Sequence, residues 1–366
     1  MTEYFTYFTR IIGTYNFVPM LIGCITSLVH TTSVPVSGAT CGRRYDGIGG
    51  LSNSCAPWLR AYNQSARDDI LDVLFKPRWA GSAQVLKIEI GGDAHSTINT
   101  ESSFMHVADP AKMSFNRGWE NYIAVEAKKR NPDIVIGGLA WGWPGWLIGN
   151  MTGKVEYLVA WVSGMKRELN IHVDYIGLQN EGSMTGGSEN ASIALRNALD
   201  NAGHHDTAIE CCDAHNFNGL PTDPTTAFYK AVHTYGIHEP LRNAESVPSP
   251  YNANGKPIWS SESYTTFSDS NGGGCWARAL NWGYVKGNVT SHTAWNLIQA
   301  YPSVGDDMNY NGHGLMWAEQ PWSGKCVGGE KKEEREVVGR AAALCSCHSP
   351  CVLSARRHVL RTPPSF

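Results

Sequence analysis

VDYIGLQNE, Val173 to Glu181, decides the reading of this chain. It is a short apolar run with β-branched residues and no helical period, and it stops on an amide and a carboxylate, Asn180 and Glu181. A strand buried on both faces reads this way. In a parallel barrel such a strand delivers its polar end to the face where catalytic residues gather. PIWSSES, Pro257 to Ser263, has the same character and carries Glu262 near its end.

Outward from these two runs, similar segments recur. RRYDGIGGLS (Arg43 to Ser52) reads as a first strand entering a glycine-rich turn, and VLKIEIGGD (Val85 to Asp93) as a second. IVIGGLAWGWPGW (Ile134 to Trp146) follows as a third, AIECCDAH (Ala208 to His215) as a fifth, VHTYGIHEP (Val232 to Pro240) as a sixth and SHTAWNLIQAY (Ser291 to Tyr301) as an eighth. Between them lie amphipathic helices. One begins near Ser65, a predicted N-cap with Asp68 three positions on, and buries Ile70, Leu71 and Leu74. Another carries Trp119, Tyr122, Ile123 and Ala127 up to Asn131-Pro132, and a third carries Val155, Leu158, Val159, Val162 and Leu169. Weaker helical patterns start near Asn190 and span Trp276 to Tyr284. Strands and helices alternating about eight times predict a (β/α)8 TIM barrel over residues 40–302. A doubly wound open sheet is the alternative, disfavoured because the glycines at 47, 49 and 50 do not complete a phosphate-binding fingerprint.

Two carboxylates at strand ends on one barrel face suit glycoside hydrolysis by double displacement: one protonates the leaving oxygen and the other attacks the sugar. Glu181 and Glu262 are the candidate pair. Asn180 is placed to contact a sugar hydroxyl, and His238 to touch the substrate or tune Glu262. His215, Asp213, His204 and His205 match no zinc spacing, and no G-x-S-x-G is present. No metal or organic cofactor is expected.

The 366 residues are 42% hydrophobic with a formal net charge of -3, which gives a globular chain without the basic footprint of a nucleic-acid partner. The ten cysteines show no metal or knottin spacing, and the sequence alone does not assign their pairing. Residues 1–39 contain Arg10, an apolar run from Phe17 to Val29 and small residues at 37–39, the pattern of a secretory leader, with an uncleaved anchor as the alternative. Sequons at Asn63, Asn150, Asn190 and Asn288 would suit a secreted or lysosomal glycoprotein. After Gly324 charge blocks and clustered cysteines replace any domain pattern, so residues 325–366 are expected to be disordered. Cys345, Cys347, His348 and Cys351 there lack a second ligand pair for zinc.

RRYDGIGG, FKPRWAGSAQVLKIEIGGD, EAKKRNPDI, WGWPGWL, DYIGLQNE, KPIWSSES, GGGCWARALN, TAWNL and GLMWAEQPWSG occur in this order. From Arg43 to Gly324 the chain thereby resembles the galactocerebrosidase (galactosylceramidase) family of glycoside hydrolases. The resemblance implies a retaining β-galactosidase acting on galactosylceramide and related galactolipids, with Glu181 as acid/base and Glu262 as nucleophile. It places Ser96 or Thr97, Trp141, Asn180 and Trp295 around the galactose, and it implies sphingolipid activator proteins as partners. The family has Trp-Asn-Glu where this chain has Gln179-Asn180-Glu181, and an acidic residue where this chain has Ser263. The family chain also continues into a β-sandwich and a lectin-like domain, so residues 303–324 read as the start of a truncated sandwich. The alternative function is a catalytically inactive galactolipid-binding fragment.

Overall fold

A strand that is apolar on both faces needs cover on both, and a closed ring of parallel strands inside a layer of helices supplies it. In the computed structural model eight strands form that ring in chain order: β1 (Gly47–Leu51), β2 (Val85–Glu89), β3 (Val135–Leu139), β4 (Tyr175–Ile176), β5 (Ala208–Ala214), β6 (Thr234–His238), β7 (Ile258–Ser263) and β8 (Val289–Ala294). Each runs parallel to the next, and β8 closes on β1 through pairs such as Gly49 with Thr293. The structure describes residues 42–52, 59, 62–96, 99–182, 187–240, 246–264, 270–300 and 314–318. The expected leader and the expected tail lie outside the described residues, as do Thr97 and most of 303–324.

The helices are α1 (Gln64–Phe75), α2 (Glu120–Arg130), α3 (Met151–Leu169), α4 (Gly187–Asn201), α5 (Ala227–Ala231) and α6 (Ser270–Gly287). The N-cap of α1 is Asn63, whose side chain accepts from the Ala66 N–H; Ser65, the expected cap, sits inside the first turn. Asn and Ser cap comparably, so composition could not separate them. Asn150 caps α3 in the same way, accepting from Gly153 N–H, and Asn170 ends it in the left-handed region at φ 54°. Along α3, Val155, Leu158, Trp161, Val162 and Met165 are buried, a stripe at helical spacing that faces the strands. The run read as one eighth strand divides: β8 stops at Ala294, and Ile298–Ala300 pairs with Met316–Ala318 in a separate two-stranded sheet. Among the described residues no helix is long and apolar enough to cross a membrane.

The barrel interior explains the charges in VLKIEIGGD. Leu86, Ile88 and Ile90 are fully buried, but so, nearly, are Lys87 and Glu89 at 3% exposure. Alternation ordinarily separates a dry face from a wet one, whereas in a closed barrel it separates the helix-facing side from the lumen. Lys87 reaches Glu210 Oε1 on β5 at 3.3 Å, three strands away, so this contact crosses the lumen. Deeper in the barrel the rings of Tyr175 (β4) and Trp259 (β7) pack 4.3 Å apart, and Trp259 Nε1 donates to Asp46 Oδ2 at 2.9 Å.

Candidate active site

The register breaks where the strands reach their C-terminal ends. Between β5 and β6, Cys212 pairs with Gly236 and Ala214 with Ile237, which leaves Asp213 as an extra residue. Between β6 and β7, Ile237 pairs with Ser260 but His238 with Glu262, and between β8 and β7, His292 pairs with Ser260 but Ala294 with Ser263. Strand β7 thus carries a bulge at Ser261–Glu262 against both neighbours. A bulge turns a side chain off the regular alternation. Glu181 in the turn beyond β4, Asp213 near the end of β5 and Glu239 just after β6 have φ of 48°, 51° and 46°. Non-glycine residues in that region are held there by their surroundings at a cost on the order of 1–3 kcal/mol each, and such positions cluster at functional sites. Two backbone bonds fix the Asn-Glu turn: Asn180 N–H donates to Ala140 O at 2.9 Å and Glu181 N–H to Asp213 O at 3.0 Å.

These distortions bring His238 between the two carboxylates singled out from the sequence. Its Nδ1 lies 3.0 Å from Glu181 Oε1, and its Nε2 lies 3.7 Å from Glu262 Oε2 and 3.5 Å from Asp213 Oδ1. His215 Nε2 approaches the same Glu181 oxygen at 3.1 Å. The side chain of Glu181 is 40% exposed and that of Glu262 16%, so one carboxylate stands at the mouth and the other below it.

The electrostatics follow from this depth. Burial alone would strip His238 of its charge, but Asp213 3.5 Å from its Nε2, the hydrogen bond to Glu181 and the charge of Glu262 outweigh it and raise its pKa to about 10. The bond from His238 holds the Glu181 carboxyl below its ordinary value. Glu262 moves the other way: burial pushes it up to about 7 against the pull of His238. Under them, burial raises Glu210 to about 7, while Lys87 and His238 overcome burial and keep Asp213 low.

Trp141, which follows β3, packs with Trp295, which follows β8, and with Leu51 at the end of β1. Trp295 is 4% exposed and Trp141 half-buried. Beside them the Trp143 indole donates to Gln179 Oε1 at 2.9 Å, tying the WGWPGW loop to the residue that departs from the Trp-Asn-Glu pattern. Asn180 Oδ1 is buried with no hydrogen-bond partner among the described residues, an acceptor suited to a ligand hydroxyl. Ser96 ends the short strand Ala94–Ser96 that follows β2, with its side chain outside the described residues, and Thr97 lies outside them altogether.

Of the histidines weighed as metal ligands, His204 and His205 are elsewhere, bound to Ser163 and Asp200. Glu181, His215 and His238 do converge, with one ligand atom each within 4.8 Å of one another. Sequence reasoning missed Lys87 and Glu210, and saw Asp213 only as a possible ligand. The signal was in the neighbouring glycines: a Cβ on Gly236 would lie 2.5 Å from Glu210 Oε1, and one on Gly177 2.9 Å from Asp213 Oδ2. Both strands leave room for a buried carboxylate.

Residues 45–331 match the model of glycosyl hydrolase family 59. The chain is 40% identical to a galactocerebrosidase of Danio rerio over 301 residues, 78% of this chain and 43% of that one, and 37% identical to a galactocerebrosidase of Homo sapiens over 297 residues, 78% and 42%. It therefore spans less than half the length of these curated relatives. Among solved structures, the catalytic domain of GH30 xylanase C from Talaromyces cellulolyticus aligns with a TM-score of 0.58 at 17% identity, covering 78% of this chain and 74% of that one. SrfJ from Salmonella typhimurium aligns at 0.60 and 14% identity, covering 75% and 69%. At such identities these two matches speak to the barrel fold alone.

Proposed function

Because the chain belongs to glycosyl hydrolase family 59, we propose that it is a retaining glycosidase that releases galactose from galactosylceramide and related β-galactolipids. The observation that carries this reading is His238 in contact range of both Glu181 and Glu262 at the C-terminal mouth of the barrel. The names of the curated relatives support the substrate. Glu262, below, attacks the anomeric carbon while Glu181, at the mouth, gives its proton to the departing oxygen; the bond to the lipid breaks as the bond to Glu262 forms. Glu181 then takes a proton from water, which displaces Glu262 and frees galactose with its configuration retained. Asn180, Trp141 and Trp295 hold the sugar, with Ser96 or Thr97 from the loop after β2.

The resting charges run against these roles. Burial favours the proton on Glu262, and His238 favours the charge on Glu181. Interacting carboxyls titrate as a pair, and the pair needs one proton in either arrangement. A sugar that covers Glu181 removes water from it and raises its pKa, while sugar hydroxyls donated to Glu262 lower its own. The same electrostatics favour a second reading, with Glu181 as nucleophile and Glu262 as acid/base.

Azide separates the two readings. In Glu262→Gly, azide attacks from the side the nucleophile has left and yields α-galactosyl azide; in Glu181→Ala, with an activated aryl galactoside, it attacks the glycosyl-enzyme and yields the β-anomer. Exchanged products would exchange the roles. Full hydrolysis of the lipid by both variants would remove the pair from catalysis, and galactolipid binding without hydrolysis by the unaltered chain would favour the inactive binding fragment. A lysosomal or secreted destination and presentation of substrate by a sphingolipid activator protein complete the proposal, on the family resemblance and, for the destination, the four sequons.

A further inference from the structure

We propose that Lys87, at the centre of β2 and beneath the sugar-binding face, is a positioning residue: through Asp213 it holds His238 against the two carboxylates. This rests on the glycosidase reading above, with Glu262 as nucleophile. The geometry is a continuous line across the lumen. Lys87 Nζ pairs with Asp213 Oδ1 and, at 3.3 Å, with Glu210 Oε1; Asp213 Oδ1 faces His238 Nε2 at 3.5 Å, and His238 Nδ1 meets Glu181 Oε1 at 3.0 Å. Lys87 and His238 are 3% and 4% exposed and Asp213 is fully buried, so these three members of the line are not free to swing to solvent.

Three features make this more than a stray ion pair. Lysine is almost never fully buried unless paired, and here the pairing joins strands that are not neighbours. Asp213 is also the bulged residue of β5, in the left-handed region, and its carbonyl holds Glu181 N–H, so its placement fixes both the imidazole and the mouth carboxylate. Finally, Gly177 and Gly236 leave the space that Asp213 and Glu210 occupy. The charged or titratable groups that face His238 are Glu181, Asp213, Glu262, Glu210 and His215, whose ring lies 5.6 Å away edge-on; those that face Lys87 are Asp213 and Glu210, with Glu262 near enough to raise its pKa. The imidazolium and Lys87 are the two cations among these four carboxylates. A cation favours the ionised form of a nearby carboxylate, and among the causes acting on Glu262, Lys87 lowers its pKa.

The test is the pH profile of galactoside hydrolysis by Lys87→Met, Lys87→Arg and the unaltered chain. Without Lys87, Asp213 loses the partner that fixes it and His238 is no longer held between Glu181 and Glu262, so kcat falls at least about tenfold and the acid limb of kcat/KM moves up as the carboxylates lose the imidazolium beside them. The loss falls on kcat and leaves KM within about twofold, because Lys87 lies below the sugar. Lys87→Arg keeps the charge and keeps the limb in place. Should Lys87→Met not fold, Lys87→Met/Asp213→Asn/Glu210→Gln also removes both carboxylates that Lys87 pairs with; it frees His238, and kcat falls at least about tenfold with KM unchanged. A folded Lys87→Met with the original limb and kcat, or a folded triple variant with the original kcat, would overturn the inference and leave the glycosidase reading standing. An unaltered chain without hydrolytic activity would overturn both.

Discussion

Replacing Glu262 with Gln should stabilise the protein while abolishing hydrolysis, and the gain should depend on pH. The Glu262 side chain is 16% exposed, and burial raises its pKa from 4.5 to about 7. Its folded pKa lies above the unfolded one, so the folded chain binds this proton more tightly. That contribution is fully present below pH 4.5 and is lost as pH rises through 7. The gap corresponds to roughly 3 kcal/mol. Gln has nearly the shape of the protonated acid and never ionises, so Glu262→Gln should match the unaltered chain at pH 4.5 and exceed it by about 3 kcal/mol at pH 8. For a barrel of this size that is a rise in Tm of roughly 5 to 10 °C. Calorimetry of both proteins at pH 4.5, 6 and 8 reads it directly. A Tm difference that stays constant across this range, or a variant less stable at pH 8, would refute the claim that burial opposes the charge of Glu262. The expected exchange of stability for activity is common at sites that hold a group in an unfavourable setting.

Two further outcomes follow from the same site. Because the folded pKa of His238, about 10, lies above its unfolded value of 6.5, its stabilisation is complete below pH 6.5 and is lost as pH rises through 10; melting temperatures measured between pH 7.5 and 10 should fall steadily, and a level profile would show that the imidazole is not held as a cation. Gly177→Ala would set a methyl 2.6 Å from Leu139 Cδ1 and 2.9 Å from Asp213 Oδ2, so it should cost about 1–3 kcal/mol by overpacking and lower kcat through Asp213; a variant with unchanged melting and kinetics would show that this space is not needed.

What was legible in the sequence was whatever depends on local pattern. Runs such as VDYIGLQNE and IVIGGLAW have no wet face, and the stripe of Val155, Leu158 and Val162 has one, so a parallel sheet covered by helices followed from the residues themselves. Strand ends in such a sheet share one face, and from this alone Glu181, His238 and Glu262 belong together. The N-cap at Asn63 and the break after Ala294 were beyond reach, because capping preferences are nearly equal among polar residues and strand ends are set by pairing partners distant in the chain.

The sequence by itself determined which carboxylates reach the mouth; the tertiary structure decided how they are charged. Lys87 reads in its strand as one more solvated residue of an alternating pattern, and only barrel closure turns that side inward and places it against Asp213, 126 residues away along the chain. The extra residues at Asp213 and Ser261–Glu262 leave no mark on the apolar pattern, since a bulge is a mismatch between two strands and a property of neither alone. The pKa of His238 and Glu262 likewise depends on burial and on charges from β2, β4, β5, β6 and β7 meeting within a few ångströms, where low dielectric makes each neighbour count.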